Sequence, residues 1–174
     1  MYRSIKTNFI YSLINTISGI LFPLLTFPYA SRILLADGIG KVSFYSSIIS
    51  YISLFTCLGI PMYAIREIAR VRNNDHELAK TTAEIVILLG SLIIVGYIIV
   101  GVICLTITRV QSDIPLFLVL STSIAFTAIG VEWFYQGTED FKYITIRGLI
   151  IKTIAMVWLF MAVKDKSDLL YYAT

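Results

Sequence analysis

Ile85-Val-Ile-Leu-Leu-Gly-Ser-Leu-Ile-Ile-Val-Gly-Tyr-Ile-Ile-Val-Gly-Val-Ile-Cys-Leu-Thr-Ile-Thr108 runs for 24 residues without a formal charge. A helix rises 1.5 Å per residue, so this stretch reaches about 36 Å, more than the ~30 Å hydrocarbon core of a bilayer. Three further stretches read the same way: Phe9–Ala30, Val42–Ile65, and Ile114–Val131 continuing to Tyr135. A fifth, Thr145–Val163, is interrupted by Arg147 and Lys152. From Asp168 the chain reads Asp-Leu-Leu-Tyr-Tyr-Ala-Thr, the expected start of a sixth span. The predicted fold class is therefore all-α, a polytopic transmembrane helix bundle.

Composition agrees with that solvent. Of 174 residues, 57% are hydrophobic and 14% charged, against ~25% charged in soluble domains. A net charge of +3 is too small to argue for nucleic acid. Arg3 and Lys6 before an apolar run imitate a signal peptide, but the run is too long and further spans follow, so cleavage is not expected. Basic residues in short loops set orientation. With the N-terminus inside, nine of the 14 Lys and Arg fall on the inner side, densest between Arg66 and Lys80, and five on the outer side. The chain is read as N-terminus cytoplasmic.

Local signals fill in the connections. Pro23 and Pro28 remove helix hydrogen bonds inside the first span and predict a kink there. The 66–84 stretch predicts a short amphipathic helical elbow on the cytoplasmic face, with Asn74 or Asp75 capping the next helix. Ser18-Gly19, Gly96 and Gly101 mark close helix approach or hinges. Cys57 and Cys104 lie inside apolar runs and are read as packed thiols rather than a disulfide.

Enzymatic chemistry has no support. Gly-x-x-x-x-Gly-Lys, His-Glu-x-x-His and Gly-x-Ser-x-Gly are absent, and the lone His76 has no Cys or His beside it. No catalytic residue, metal or cofactor is expected. The informative residues are charges at membrane depth, because a charge retained in lipid marks a functional position by default. Glu132 ends the fourth span; it is either a helix-end carboxylate paired with a base or a carboxylate facing a wet cavity, as an ion-coupling group. Arg147 and Lys152 are five apart, ~140° around a helix. They either snorkel to the headgroups or line a cavity and bind an anion, the guanidinium bidentately and the ammonium as a point charge. Arg32 and Arg66 end apolar runs near Pro28 and Pro61, as interface anchors or as cavity residues aimed inward by a kink. The abundant Tyr and Phe suit lipid-facing packing, and equally a carbohydrate-binding cavity.

Three patches carry a resemblance. They are Phe27-Pro-Tyr-Ala-Ser-Arg-Ile-Leu34 with Gly38-Ile-Gly-Lys-Val42; Gly59-Ile-Pro-Met-Tyr-Ala-Ile-Arg-Glu-Ile-Ala69; and Gly130-Val-Glu-Trp-Phe-Tyr-Gln-Gly-Thr-Glu-Asp-Phe-Lys-Tyr-Ile-Thr-Ile-Arg147. With these the chain resembles Wzx-type O-antigen and capsule flippases, the polysaccharide-biosynthesis branch of the multidrug/oligosaccharidyl-lipid/polysaccharide (MOP) exporter superfamily. One departure is Leu35, where family members often have glycine before the turn; it predicts a less tight turn.

The resemblance implies a MATE/MOP-flippase-like fold of two six-helix lobes around a cavity that opens to each side alternately. Residues 1–174 would be an incomplete N-terminal lobe, whose missing C-terminal lobe is its partner; alone it would be poorly stable and would not transport. The implied function is flipping of undecaprenyl-diphosphate-linked oligosaccharide across the bacterial inner membrane. Arg32, Arg66, Arg147 and Lys152 would bind the substrate and Glu132 would couple an ion. Implied partners are the lipid-linked oligosaccharide, membrane lipids, and polysaccharide polymerase and glycosyltransferases. The alternatives are a drug/cation antiporter of the same superfamily, which would favour acidic cavity residues, and a non-catalytic membrane scaffold. A membrane glycosyl- or acyltransferase or polymerase would want a large loop or a His/Asp pair, neither of which is present.

Overall fold

The computed structural model describes residues 5–57, 59–166 and 168–173; Arg3 and Thr174, used above, lie outside them. All regular structure among the described residues is helical: α1 (Ile5–Cys57), α2 (Ile60–Val71), α3 (Asp75–Thr106), α4 (Thr108–Gln111), α5 (Ile114–Ile129), α6 (Glu132–Gly137), α7 (Phe141–Ala162) and α8 (Leu169–Ala173). Four stretches among them are long and apolar enough to cross a bilayer: Lys6–Cys57, Asp75–Thr106, Ile114–Gly137 and Phe141–Ala162. The first has 52 residues, length enough for two crossings.

α1 is two arms meeting at Leu35, whose dihedrals (φ 56°, ψ −178°) are the one non-helical pair inside it. The break therefore falls at Leu35 and not at Pro23 or Pro28, which sit within helical backbone. The less tight turn expected from leucine is also corrected: the turn is made through a left-handed φ, and the leucine adopts it.

The second arm ends at Cys57, short of the expected Ile65. Gly59 (φ 76°) turns the chain, and Pro61 opens α2 in its first turn, where a missing N–H costs nothing. The expected elbow is thus mostly helix. Asn74 caps α3, its Oδ1 accepting from the N–H of His76 (3.2 Å) and Glu77 (3.3 Å), so α3 begins ten residues before the apolar run at Ile85. The fourth span is not continuous to Tyr135. Gly130 (φ −57°, ψ 98°) ends α5, and Glu132 opens the short helix α6.

Helix directions follow from the pairings. Along the first arm of α1 and α7, Thr145 Oγ1 donates to the Tyr11 carbonyl (2.9 Å), Lys152 Nζ to Ser18 Oγ (2.7 Å), and Tyr29 OH to the Val163 carbonyl (2.9 Å). Each pair is 134 residues apart, so the two helices run parallel in one register. The second arm runs antiparallel to α3: Tyr45 OH donates to the Arg109 carbonyl (2.8 Å), while Thr56 lies against Gly96. A Cβ on Gly96 would stand 2.6 Å from Thr56 Cγ2 and 3.4 Å from Ile124 Cγ2, which marks the crossing of α1, α3 and α5. Gly101 has open space around it, so of the two glycines flagged in α3 only Gly96 is a close approach.

Three apolar clusters hold the bundle. Tyr45, Ile49, Ile52, Val100, Phe117 and Ile124 join the second arm to α3 and α5. Ala64, Ile68, Ile85, Leu89 and Trp133 join α2, α3 and α6. Leu34, Leu159 and Val163 close the first arm onto the end of α7. Polar ties sit at both ends. Asp113 shares the single Tyr45 hydroxyl proton with the Arg109 carbonyl (3.0 and 2.8 Å) and pairs with Lys41 (3.4 Å), beside Arg109 stacked 5.0 Å over the Phe44 ring. At the opposite end Arg72 pairs with Glu139.

Candidate functional site: a basic track along α7

α7 is launched by two local devices. The α6 C-terminus closes in a Schellman arrangement: Asp140 N–H bonds to the Tyr135 carbonyl (2.8 Å) and Glu139 N–H to the Gln136 carbonyl (3.1 Å), with Glu139 at φ 60°. Asp140 then caps α7 by accepting from Tyr143 N–H (3.2 Å). Tyr135 and Tyr143 stack at 4.1 Å and fix the corner. From this start α7 carries Lys142, Arg147 and Lys152 at five-residue intervals, from its first turn to its middle.

Three cavities lie along these residues. One of about 460 Å³ is lined by Asp140, Lys142, Tyr143 and Arg147. A second of about 250 Å³ is lined by Asn15, Glu132, Arg147, Gly148 and Lys152. A third of about 780 Å³ begins at Lys152 and runs between α1 and α7 to Trp158 and Tyr172. Arg147 belongs to the first and second, and Lys152 to the second and third, so neighbouring cavities share a cation and the three follow one another as a basic track along α7.

Three of the five residues named from the sequence, Glu132, Arg147 and Lys152, thus meet on one cavity. Arg32 and Arg66 do not join them: both are exposed, on α1 and α2, and neither lines any of the three cavities. Glu132 accepts from Gln136 Nε2 (3.3 Å) and forms no ion pair with Arg147 or Lys152 among the described residues. The helix-end ion pair is therefore not how the carboxylate is held. Glu132 opens α6, just after the break at Gly130, and lines the cavity with Arg147 and Lys152.

Asn15 and Ser18 escaped the sequence reading. Lys152 Nζ donates to Ser18 Oγ at 2.7 Å, with the Asn15 carbonyl and Oδ1 each at 3.4 Å. All three acceptors are neutral, so the ammonium is solvated by α1 but its charge is not cancelled. The signal was present in part. Ser18-Gly19 was read as a point of close approach, and α7 answers with Gly148, where a Cβ would stand 3.2 Å from Asn15 Oδ1.

This network makes a prediction. Ser18→Ala should cost about 1–3 kcal/mol, because it strips a charged donor at membrane depth of its shortest acceptor. The same change in a Lys152→Met background should cost close to nothing. Thermal unfolding of the four proteins in one detergent measures the cycle, and equal costs in both backgrounds would remove the bond from the account.

The sequence profile of the family described as "Polysaccharide biosynthesis protein" matches residues 5–174. A protein of Escherichia coli (strain K12) is 24% identical over 166 residues, covering 95% of this chain and 40% of its own length. One of Shigella dysenteriae is 25% identical over 151 residues, covering 86% of this chain and 37% of its own. Both carry the name "Putative O-antigen transporter". This chain therefore spans about 40% of the length of the curated relatives it matches. No solved structure matches it. On the family match over almost its whole length, and on helices long enough to span a bilayer, the chain is a multi-pass membrane protein that belongs to the polysaccharide biosynthesis protein family.

Proposed function

We propose that this chain is the N-terminal portion of a flippase that moves undecaprenyl-diphosphate-linked oligosaccharide across the bacterial inner membrane, with its N-terminus in the cytoplasm. The observation that carries the reading is the track along α7, in which each pair of neighbouring cavities shares a cation. A diphosphate cannot enter hydrocarbon bare, since burying an unpaired charge costs several kcal/mol or more. Successive contact with Lys142, Arg147 and Lys152 would lower that cost stepwise from the helix start to its middle. Arg147 can receive two phosphate oxygens at once, and Lys152 supplies charge without geometry. Glu132, on the same cavity and without an ion pair among the described residues, would couple an ion or repel the head once it has passed.

The relatives' name supports polysaccharide transport and not catalysis, and no reacting group is assigned here. The C-terminal lobe of the longer protein would cover the open side of the track, and the polymerase and glycosyltransferases would supply and consume the substrate. In the full-length parent, Arg147→Ala is expected to lower surface glycan export several-fold at unchanged membrane abundance, scored by glycan blotting beside a quantified membrane fraction. Normal export would take Arg147 off the track.

A further inference from the structure

The third cavity is the largest of the three. Its walls are Gly19, Phe22 and Pro23 of α1 and Ile154, Ala155 and Trp158 of α7; they are mainly apolar, with Tyr171 and Tyr172 of α8 at the end away from Lys152. The one hydroxyl on its α1 wall, Thr26 Oγ1, is spent on the Phe22 carbonyl (3.0 Å). A glycan laid here would leave hydroxyl after hydroxyl without a partner, at a cost for each. At about 780 Å³ the groove falls in the size range of sites that enclose small ligands. Lys152, whose charge no carboxylate neutralises among the described residues, lines both this groove and the neighbouring cavity that holds Arg147.

An apolar groove with an uncompensated cation at one end has the complementarity of one ligand class, an anionic amphiphile. We propose that the α1–α7 groove seats the hydrocarbon chain of such a lipid while its diphosphate head occupies the Arg147–Lys152 cavity. This rests on the reading of that cavity as a diphosphate site, and it adds where the chain goes: along α1 towards Trp158, rather than free in the surrounding bilayer.

Trp158 is a built-in reporter. It is half exposed and lines the groove, and the other tryptophan, Trp133, is buried in the α2–α3–α6 cluster. Trp133 Nε1 has no hydrogen-bond partner, so Trp133→Phe sacrifices no bond and leaves Trp158 as the sole emitter. The full-length parent carrying Trp133→Phe, with any tryptophan outside residues 1–174 also replaced by phenylalanine, is placed in nanodiscs of dibrominated phosphatidylcholine, whose chains quench tryptophan. Farnesyl diphosphate, inorganic pyrophosphate, farnesol and a neutral disaccharide are added in turn. Pyrophosphate binding is followed separately by phosphorus NMR line broadening.

Farnesyl diphosphate is expected to raise Trp158 emission roughly twofold by displacing quencher chains, with farnesol and pyrophosphate having little effect. Ala155→Phe, which fills the groove, should abolish the rise and leave pyrophosphate broadening intact. If pyrophosphate binds but farnesyl diphosphate leaves Trp158 quenched, bilayer lipid holds the groove; the seat is then overturned while the diphosphate reading stands. If pyrophosphate fails to bind, both fall. Equal relief by farnesol overturns the anionic requirement, and relief by the disaccharide overturns the hydrocarbon assignment in favour of a sugar.

Discussion

Gly137→Val is expected to lower the stability of the chain by more than about 3 kcal/mol, beyond the usual range for overpacking a core. The last residue of α6 lies against α2 with no room for a side chain. A Cβ there would stand 2.7 Å from both Cβ and Cγ2 of Ile68 and 3.0 Å from the Ile65 carbonyl. None of these atoms is the free end of a flexible chain. Ile68 is fully buried and packs with Ala64, Ile85, Leu89 and Trp133, so it cannot swing aside. Relief would have to come from parting α2 and α6. That would pull at the Arg72–Glu139 pair one turn away and at the corner from which α7 starts. Gly137→Ala should show the same defect at smaller size. Thermal unfolding in detergent measures both, and an unchanged midpoint for the valine variant would mean that α2 and α6 do not make this contact.

Leu35→Gly should act in the opposite direction. Leucine at φ 56°, ψ −178° occupies a region that is essentially glycine's alone, at a cost on the order of 1–3 kcal/mol. Little packing is lost on truncation, since Leu35 is 44% exposed. Against the relief stands the larger freedom of glycine in the unfolded chain, about 0.5–1 kcal/mol. The net expectation is a gain of about 1 kcal/mol, or roughly 2–4 °C in midpoint for a chain of this size. Leu35→Ala is the control. Its Cβ keeps the strain, so it should gain nothing, and an equal gain from alanine would place the benefit elsewhere than in the backbone.

The spans were legible because lipid demands long uncharged runs, and no soluble element writes that pattern. The corners were not. Leucine at Leu35 and glutamate at Glu139 both take positive φ, a conformation neither residue advertises, whereas Gly59 and Asn74 took the roles their chemistry suggests. Pro23 and Pro28 keep helical dihedrals, and the chain breaks at Leu35 instead; inside a membrane bundle the carbonyls freed by proline can be satisfied without ending the helix. Within the site, charge was visible and facing was not. Around a lipid-facing helix both sides are apolar, so hydropathy has no period from which to read the side that meets a neighbour. Arg147 and Lys152 stood out as charges, and the structure supplies what joins them to Glu132. Arg32 and Arg66 stood out equally and lie elsewhere. Asn15, neutral and alone among apolar residues, gave no signal until α7 was laid beside it.

The constant offset between α1 and α7 has a mechanical consequence. Its three bonds fall at Tyr11, Ser18 and Tyr29, steps of seven and then eleven residues. Seven residues lag two full turns of an α-helix by ~20°, and eleven overshoot three turns by the same amount. The two errors cancel, and eighteen residues make five turns, about 27 Å of rise. The fasteners therefore lie on a single uncoiled line through nearly the whole hydrocarbon layer, and two rods pinned at bottom, middle and top can neither scissor nor slide by a turn without releasing all three pins. The first arm of α1 and α7 behave as one beam, and any motion that opens the track to one side of the membrane must carry both together.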